Sequence, residues 1–95
     1  TSTSTTDAPN ARLTFQGTGP TTVAHEGGDA FQKENVIVKV NGANQGDLTS
    51  FSVSGSTLNT GDSFDVSTNS GQTVVILWDD PQSDREVQLG KFTAE

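Results

Sequence analysis

From Arg12 onward, apolar side chains fall at every second position over short stretches. Leu13 and Phe15 open the series, followed by Val36, Val38 and Val40, then Phe51 and Val53, Phe64 and Val66, and Val87 and Leu89. A repeat of two is the spacing of a strand with one buried and one solvated face, because successive side chains of an extended chain point to opposite sides. Turn-forming clusters separate the stretches: Gly17 to Pro20, Gly27-Gly28-Asp29, Asn41-Gly42, Gly46-Asp47, Gly61-Asp62, Asn69 to Gly71 and Asp79 to Pro81. No apolar pattern of helical length fits between them. The spacing predicts about seven strands, near residues 11–16, 21–25, 35–41, 48–54, 62–67, 72–79 and 85–93. Strands of this number and interval predict an all-β domain, an immunoglobulin-like two-sheet sandwich.

Departures from alternation carry further information. Val74, Val75, Ile76, Leu77 and Trp78 form an unbroken apolar run, as expected of a central strand covered on both faces. With Val74, Ile76 and Trp78 inward, Val75 and Leu77 point outward, and Ile37 points outward beside Lys39 in the third strand. An immunoglobulin-like order makes the third and sixth strands neighbours, which gathers Ile37, Val75 and Leu77 into one exposed apolar patch. These three are the candidate subunit-interface residues. Phe92 is out of phase with Val87 and Leu89, and a bulge at Gly90 is expected to return it to the core.

Composition narrows the class. Thr1 to Thr6 are only Thr and Ser, and Asp7, Ala8, Pro9 and Asn10 follow, so residues 1–10 read as a linker or stalk open to O-glycosylation and residues 11–95 as one domain. No asparagine begins an Asn-x-Ser/Thr acceptor. Hydrophobic residues are 29% of the chain and cysteine is absent, so a lean core must be held by sheet pairing and a few large side chains. Five Lys and Arg stand against twelve Asp and Glu, a net charge of -7, which excludes an electrostatic grip on nucleic acid or anionic lipid. Carboxylates spread along the chain, with only three lysines, suit a halophilic exterior where salt screens self-repulsion. No run approaches the ~18 apolar residues of a membrane span.

Sites for chemistry are few. His25-Glu26-Gly27-Gly28-Asp29 sets an imidazole beside two carboxylates, the makings of a small metallohydrolase site, but a glycine pair before Asp is also how a chain leaves a strand. His25 is the only histidine, and it is read here as a strand-end or turn residue. Asp79, Asp80, Asp84 and Glu86 offer oxygens to calcium without the ligand spacing of a calcium loop, and are read as a solvated acidic turn. Gly17-Thr18-Gly19 lacks the third glycine of a phosphate cradle, and no Gly-x-Ser-x-Gly elbow occurs. Trp78 is read as a core plug. No catalytic residue, cofactor or metal is expected, and no enzymatic activity.

The opening Leu13-Thr14-Phe15, the His25 to Asp29 string, Asn35 to Gly42, Leu58 to Val66 around Gly61-Asp62, and Val74 to Trp78 near Pro81 occur in an order that resembles the globular head of haloarchaeal type IV pilins over residues 11–93. The resemblance implies a structural subunit of an extracellular type IV pilus filament at the cell surface, involved in adhesion. Its implied partners are other pilin subunits in a helical filament and external surfaces, and its only implied tie to the membrane is a long N-terminal hydrophobic helix that these residues do not contain. It further implies a head separated from that helix at the Thr/Ser linker, with loops 17–20, 27–32 and 79–84 exposed. The alternative is an immunoglobulin-like binding module of a secreted or cell-surface protein, stabilised by calcium at the acidic turn.

Overall fold

Strand β1 (Ala11–Gln16) pairs with β2 (Thr21–Gly28), and β2 with β7 (Ser63–Val66), to give a three-stranded antiparallel sheet. A second sheet has four strands in the order β5 (Ala43–Asp47), β4 (Val36–Val40), β8 (Thr73–Asp79) and β9 (Glu86–Thr93), all antiparallel. A two-stranded ribbon of β3 (Phe31–Gln32) and β6 (Thr57–Leu58) closes one flank. This is a computed structural model, and it describes residues 10–17, 20–51, 53 and 55–94. The linker assigned to residues 1–10 therefore lies outside the described residues except for Asn10, as do Thr18 and Gly19 of the first turn. With the ribbon set aside, the strand order is that of an immunoglobulin-like sandwich, three strands against four.

The alternation predicts the inner face well. Val36, Val38 and Val40 of β4 meet Trp78, Ile76 and Val74 of β8 in register, and all six are buried. Val23, Phe64 and Val66 close the core from the other sheet, with Phe31, Leu48, Val53 and Leu58 around its margin. Trp78, 3% exposed, is the core plug the sequence suggested. At the open flank of the sandwich Phe15 of β1 stacks on Phe92 of β9, centroids 5.7 Å apart and planes 7° from parallel. Gly90 forms the floor of that contact, since a Cβ there would lie 2.7 Å from the Phe15 ring.

Phe92 returns to the inner face through a bulge. Ile76 pairs with Gly90 but Leu77 with Gln88, so Leu89 is the extra residue, and Val87 and Phe92 both oppose inward residues of β8. The expected phase change is present one residue before Gly90.

Two expectations need correction. Among the described residues of 48–54 there is no strand: a 3₁₀ turn covers Leu48–Ser50, started by Asp47, whose carboxylate accepts the Thr49 N–H at 2.9 Å. Leu48 and Val53 still reach the core and Phe51 packs half-buried against it, without the described residues of the segment being paired in a sheet. The missing seventh sandwich strand is β5, which carries no apolar alternation. It follows from the turn before it: Asn41 and Gly42 both have positive φ, 50° and 84°, the two-residue hairpin that matches strand twist. Gly46, at φ 95°, accompanies the register shift by which Ile37 opposes Asp47 while Lys39 opposes Asn44. The loop assigned to 27–32 is also wrong, because Gly27 and Gly28 extend β2 and Phe31 is buried in the core.

Candidate functional site

The outward face of the four-stranded sheet is built by the same alternation that builds the core. Ile37 and Leu77 are directly paired across β4 and β8, and Lys39 is paired with Val75 one rung on. Strands lie about 4.8 Å apart, so these side chains are nearest neighbours on one surface. Extending the rungs to the outer strands gives a row Asp47, Ile37, Leu77, Gln88 and a row Asn44, Lys39, Val75, Lys91. Beyond the first row stand Asp79 and Glu86, opposite one another, and beyond the second stand Thr73 and Thr93, whose hydroxyls are 3.1 Å apart. The three candidate interface residues are thus brought together as a strip with carboxylates at one end and amines at the other. The strip is less open than the sequence suggests: all three residues are half-buried, and among the described residues no large hydrophobic is fully exposed. Flat neighbours and long polar side chains on a sheet face cover part of each other.

The five-residue string from His25 to Asp29 does not converge on a ligand. His25 is fully buried, and its Nε2 donates to the Asp29 carbonyl oxygen at 2.6 Å, a carbonyl being able only to accept. Its ring meets Phe31 edge-on, with centroids 5.5 Å apart. Nδ1 is buried with no hydrogen-bond partner among the described residues. Glu26, bulged out of the β1–β2 register, turns to the opposite side and accepts from the Thr14 hydroxyl at 3.1 Å. The Asp29 carboxylate accepts the Asn10 N–H at 2.9 Å. His25, Glu26 and Asp29 each tie down a piece of the fold, but His25 lies buried inside β2 and not at a strand end or in a turn, because Gly27 and Gly28 continue the strand beyond it.

The acidic turn is likewise occupied by its own backbone. Asp80 is 2% exposed, against an expectation of a solvated turn. Its carboxylate accepts from the Gln82 N–H at 2.8 Å and the Ser83 hydroxyl at 3.1 Å, and pairs with Arg85 at 3.4 Å. The Arg85 guanidinium also lies 6.0 Å over the Trp78 ring. Asp84 and Glu86 are exposed and Asp79 half-buried, and among the described residues no three His, Cys, Asp or Glu side chains converge as a metal would require.

Open hollows lie on the surface of the described residues. One, of ≈ 280 Å³, is lined by Gln45, Ser50, Phe51, Asp65, Val66 and Ser67, and another, of ≈ 310 Å³, by Pro20, Ser67, Thr68 and Asn69. Among the described residues Asp65 is the only ionisable one that lines either, and its carboxylate accepts from the Thr22 hydroxyl at 2.8 Å.

No family model matches the chain, and no curated protein matches it. The outward sheet face is the surface that gathers the three candidate interface residues. Sequence reasoning placed Lys39 there and left Lys91 unassigned, although the bulge expected before Phe92 is what turns Lys91 outward. It set Asp79 and Glu86 at the ends of the strands near 72–79 and 85–93 and counted them with the acidic turn, and the pairing of β8 with β9 places them on the same face as the strip.

Proposed function

We propose that this domain is the exposed head of a structural subunit in an extracellular type IV pilus filament, working by surface contact in adhesion. The observation that carries the reading is the outward face of the four-stranded sheet, where Ile37, Leu77 and Val75 form an aliphatic strip on an otherwise polar and acidic surface. Half-buried aliphatics grouped on one sheet face are a surface suited to a protein partner. The rest of the molecule is consistent with a packing role: the His25 string and the Asp80 turn, the two groupings with chemical potential, are both spent on closing the fold. The resemblance over residues 11–93 supplies the filament, and an immunoglobulin-like sandwich suits a head displayed on the outside of one.

The test is to express the full-length gene product in its native host and label cells with an antibody to this domain for electron microscopy. Labelled filaments are expected. Label spread over the envelope without filaments would overturn the filament reading and favour a surface binding module.

A further inference from the structure

The outward face of the four-stranded sheet is complementary to itself. Its central row, Ile37 and Leu77, separates an acidic end, Asp79 and Glu86, from a basic end, Lys39 and Lys91. Together with Asp47 at the β5 end of the central row, the face holds two positive and three negative groups, a balance of -1 on a chain of -7. Two of the chain's five basic residues are here. Among the described residues neither lysine has an ion-pair partner within the molecule.

From this arrangement we infer that the face binds a second copy of this chain about a two-fold axis that crosses the strands along the Ile37–Leu77 row. Rotation about that axis lays Ile37, Leu77 and Gln88 on their own counterparts and sets the two Asp47 carboxylates together at the β5 end of the row, diagonally between the two Lys39 side chains. It carries the rung holding Lys39, Val75 and Lys91 onto the rung holding Asp79 and Glu86 of the second copy. Lys91 then meets Glu86 on the same strand. Lys39 stands diagonally from Asp79 and Asp47 of the second copy, one strand over on sheets that stack about 10 Å apart face to face, a gap its long side chain can cross. Two-fold contacts of this kind need a surface that complements itself, and one apolar row between opposite charges is such a surface.

The contact is small. Four strands about 4.8 Å apart and seven residues of about 3.3 Å cover roughly 19 Å by 23 Å, near half of the ~800 Å² that each partner of a stable complex buries. Free domains are thus expected to pair only at concentrations on the order of 0.1 to 1 mM. Domains carried in many copies on one support would pair more strongly through their high local concentration. On the filament reading, the pairing would join heads of neighbouring filaments, since a two-fold contact closes at two copies and does not extend a polar fibre.

The proposal rests on reading this face as an interface, not on the filament, and its test is separate. Sedimentation of the purified chain up to about 1 mM at physiological ionic strength is expected to show a monomer–dimer equilibrium with no larger species. The double variant Lys39→Glu, Lys91→Glu should lower the association constant at least ~10-fold, and so should Asp79→Lys, Glu86→Lys. An equimolar mixture of the two double variants should recover dimer, because opposite charges meet again on both sides of the axis. Recovery also demonstrates that both variants are folded. A monomer throughout, growth beyond the dimer, association untouched by the reversals, or a mixture that stays monomeric would each overturn the proposal. Filaments on cells without this equilibrium would leave the head assignment standing and remove only the two-fold contact.

Discussion

At the residue scale, the glycine pair after His25 divides into one position that needs glycine and one that does not. Gly28 has φ 101°, and a Cβ there would lie 2.3 Å from the Asn10 carbonyl oxygen and 2.8 Å from the Ala11 Cα. Gly27 has ordinary backbone and nothing within 4 Å of where its Cβ would stand. The tight approach lets Asp29 donate its N–H to the Asn10 carbonyl and accept the Asn10 N–H on its carboxylate. His25 fastens the other side of the same bend by donating to the Asp29 carbonyl. Gly28→Ala is expected to cost at least ~2 kcal/mol, combining strain at positive φ with a backbone overlap. Gly27→Ala should stay within ~1 kcal/mol of the parent. Urea denaturation of the pair measures the contrast, and equal losses at both positions would contradict this account of the bend.

At the element scale, the turn joining β8 and β9 shows a buried acid used as internal scaffolding. The β8–β9 pairing ends at Asp79 and Glu86, and the chain between them folds over the Asp80 carboxylate. The Asp80 N–H in turn donates to the Arg85 carbonyl at 2.9 Å. Asp80→Ala leaves the Gln82 N–H, the Ser83 hydroxyl and the Arg85 guanidinium without this acceptor, and is expected to cost about 2–3 kcal/mol. Asp84→Ala, at an exposed position of the same turn, should change stability by no more than ~0.5 kcal/mol. Thermal melts of both variants, with and without added calcium, check the assignment. A calcium-dependent rise in Tm abolished by Asp84→Ala would instead make the turn a cation site.

At the scale of the whole molecule, charge and core size set the conditions under which the sandwich is stable. The core depends on a limited set of Val, Leu, Ile, Phe and Trp side chains, and no disulfide is possible in a chain without cysteine. Against that core stands the repulsion of a net charge of -7 in a small domain. Among the described residues only the Arg85–Asp80 pair forms an ion bridge, so salt has little attraction to screen and much repulsion. Raising sodium chloride from about 0.1 M to about 1 M, where the screening length falls from ~10 Å to ~3 Å, should raise Tm. Calorimetry across that range decides it, and a falling Tm would show that attractive pairs dominate.

The sequence by itself determined the class of fold and the sides of its strands. Period-two alternation is a local property of an extended chain, so Val36, Val38 and Val40 and the Val74 to Trp78 run declared their inner faces before any pairing was known. The placement of Ile37, Val75 and Leu77 on the reverse face followed from the same parity. Local chemistry also foretold the bulge before Phe92 and, in Asn41-Gly42, contained the hairpin that makes β5 a strand. What only the tertiary structure decided were features without a periodic signature. A polar edge strand buries little on its own account, so β5 could not be seen in hydrophobicity, and Phe51 and Val53 alternate although neither is paired in a sheet. The burial of His25 and Asp80 depends on partners supplied by Asp29, Phe31 and Arg85 in the folded turns. Lys39, Lys91, Asp79 and Glu86 are brought around the strip only through the register between β4, β8 and β9, which parity within one strand does not set. Parity along one strand is written in its own residues, whereas register between strands is settled by turns, bulges and the packing of both sheets together.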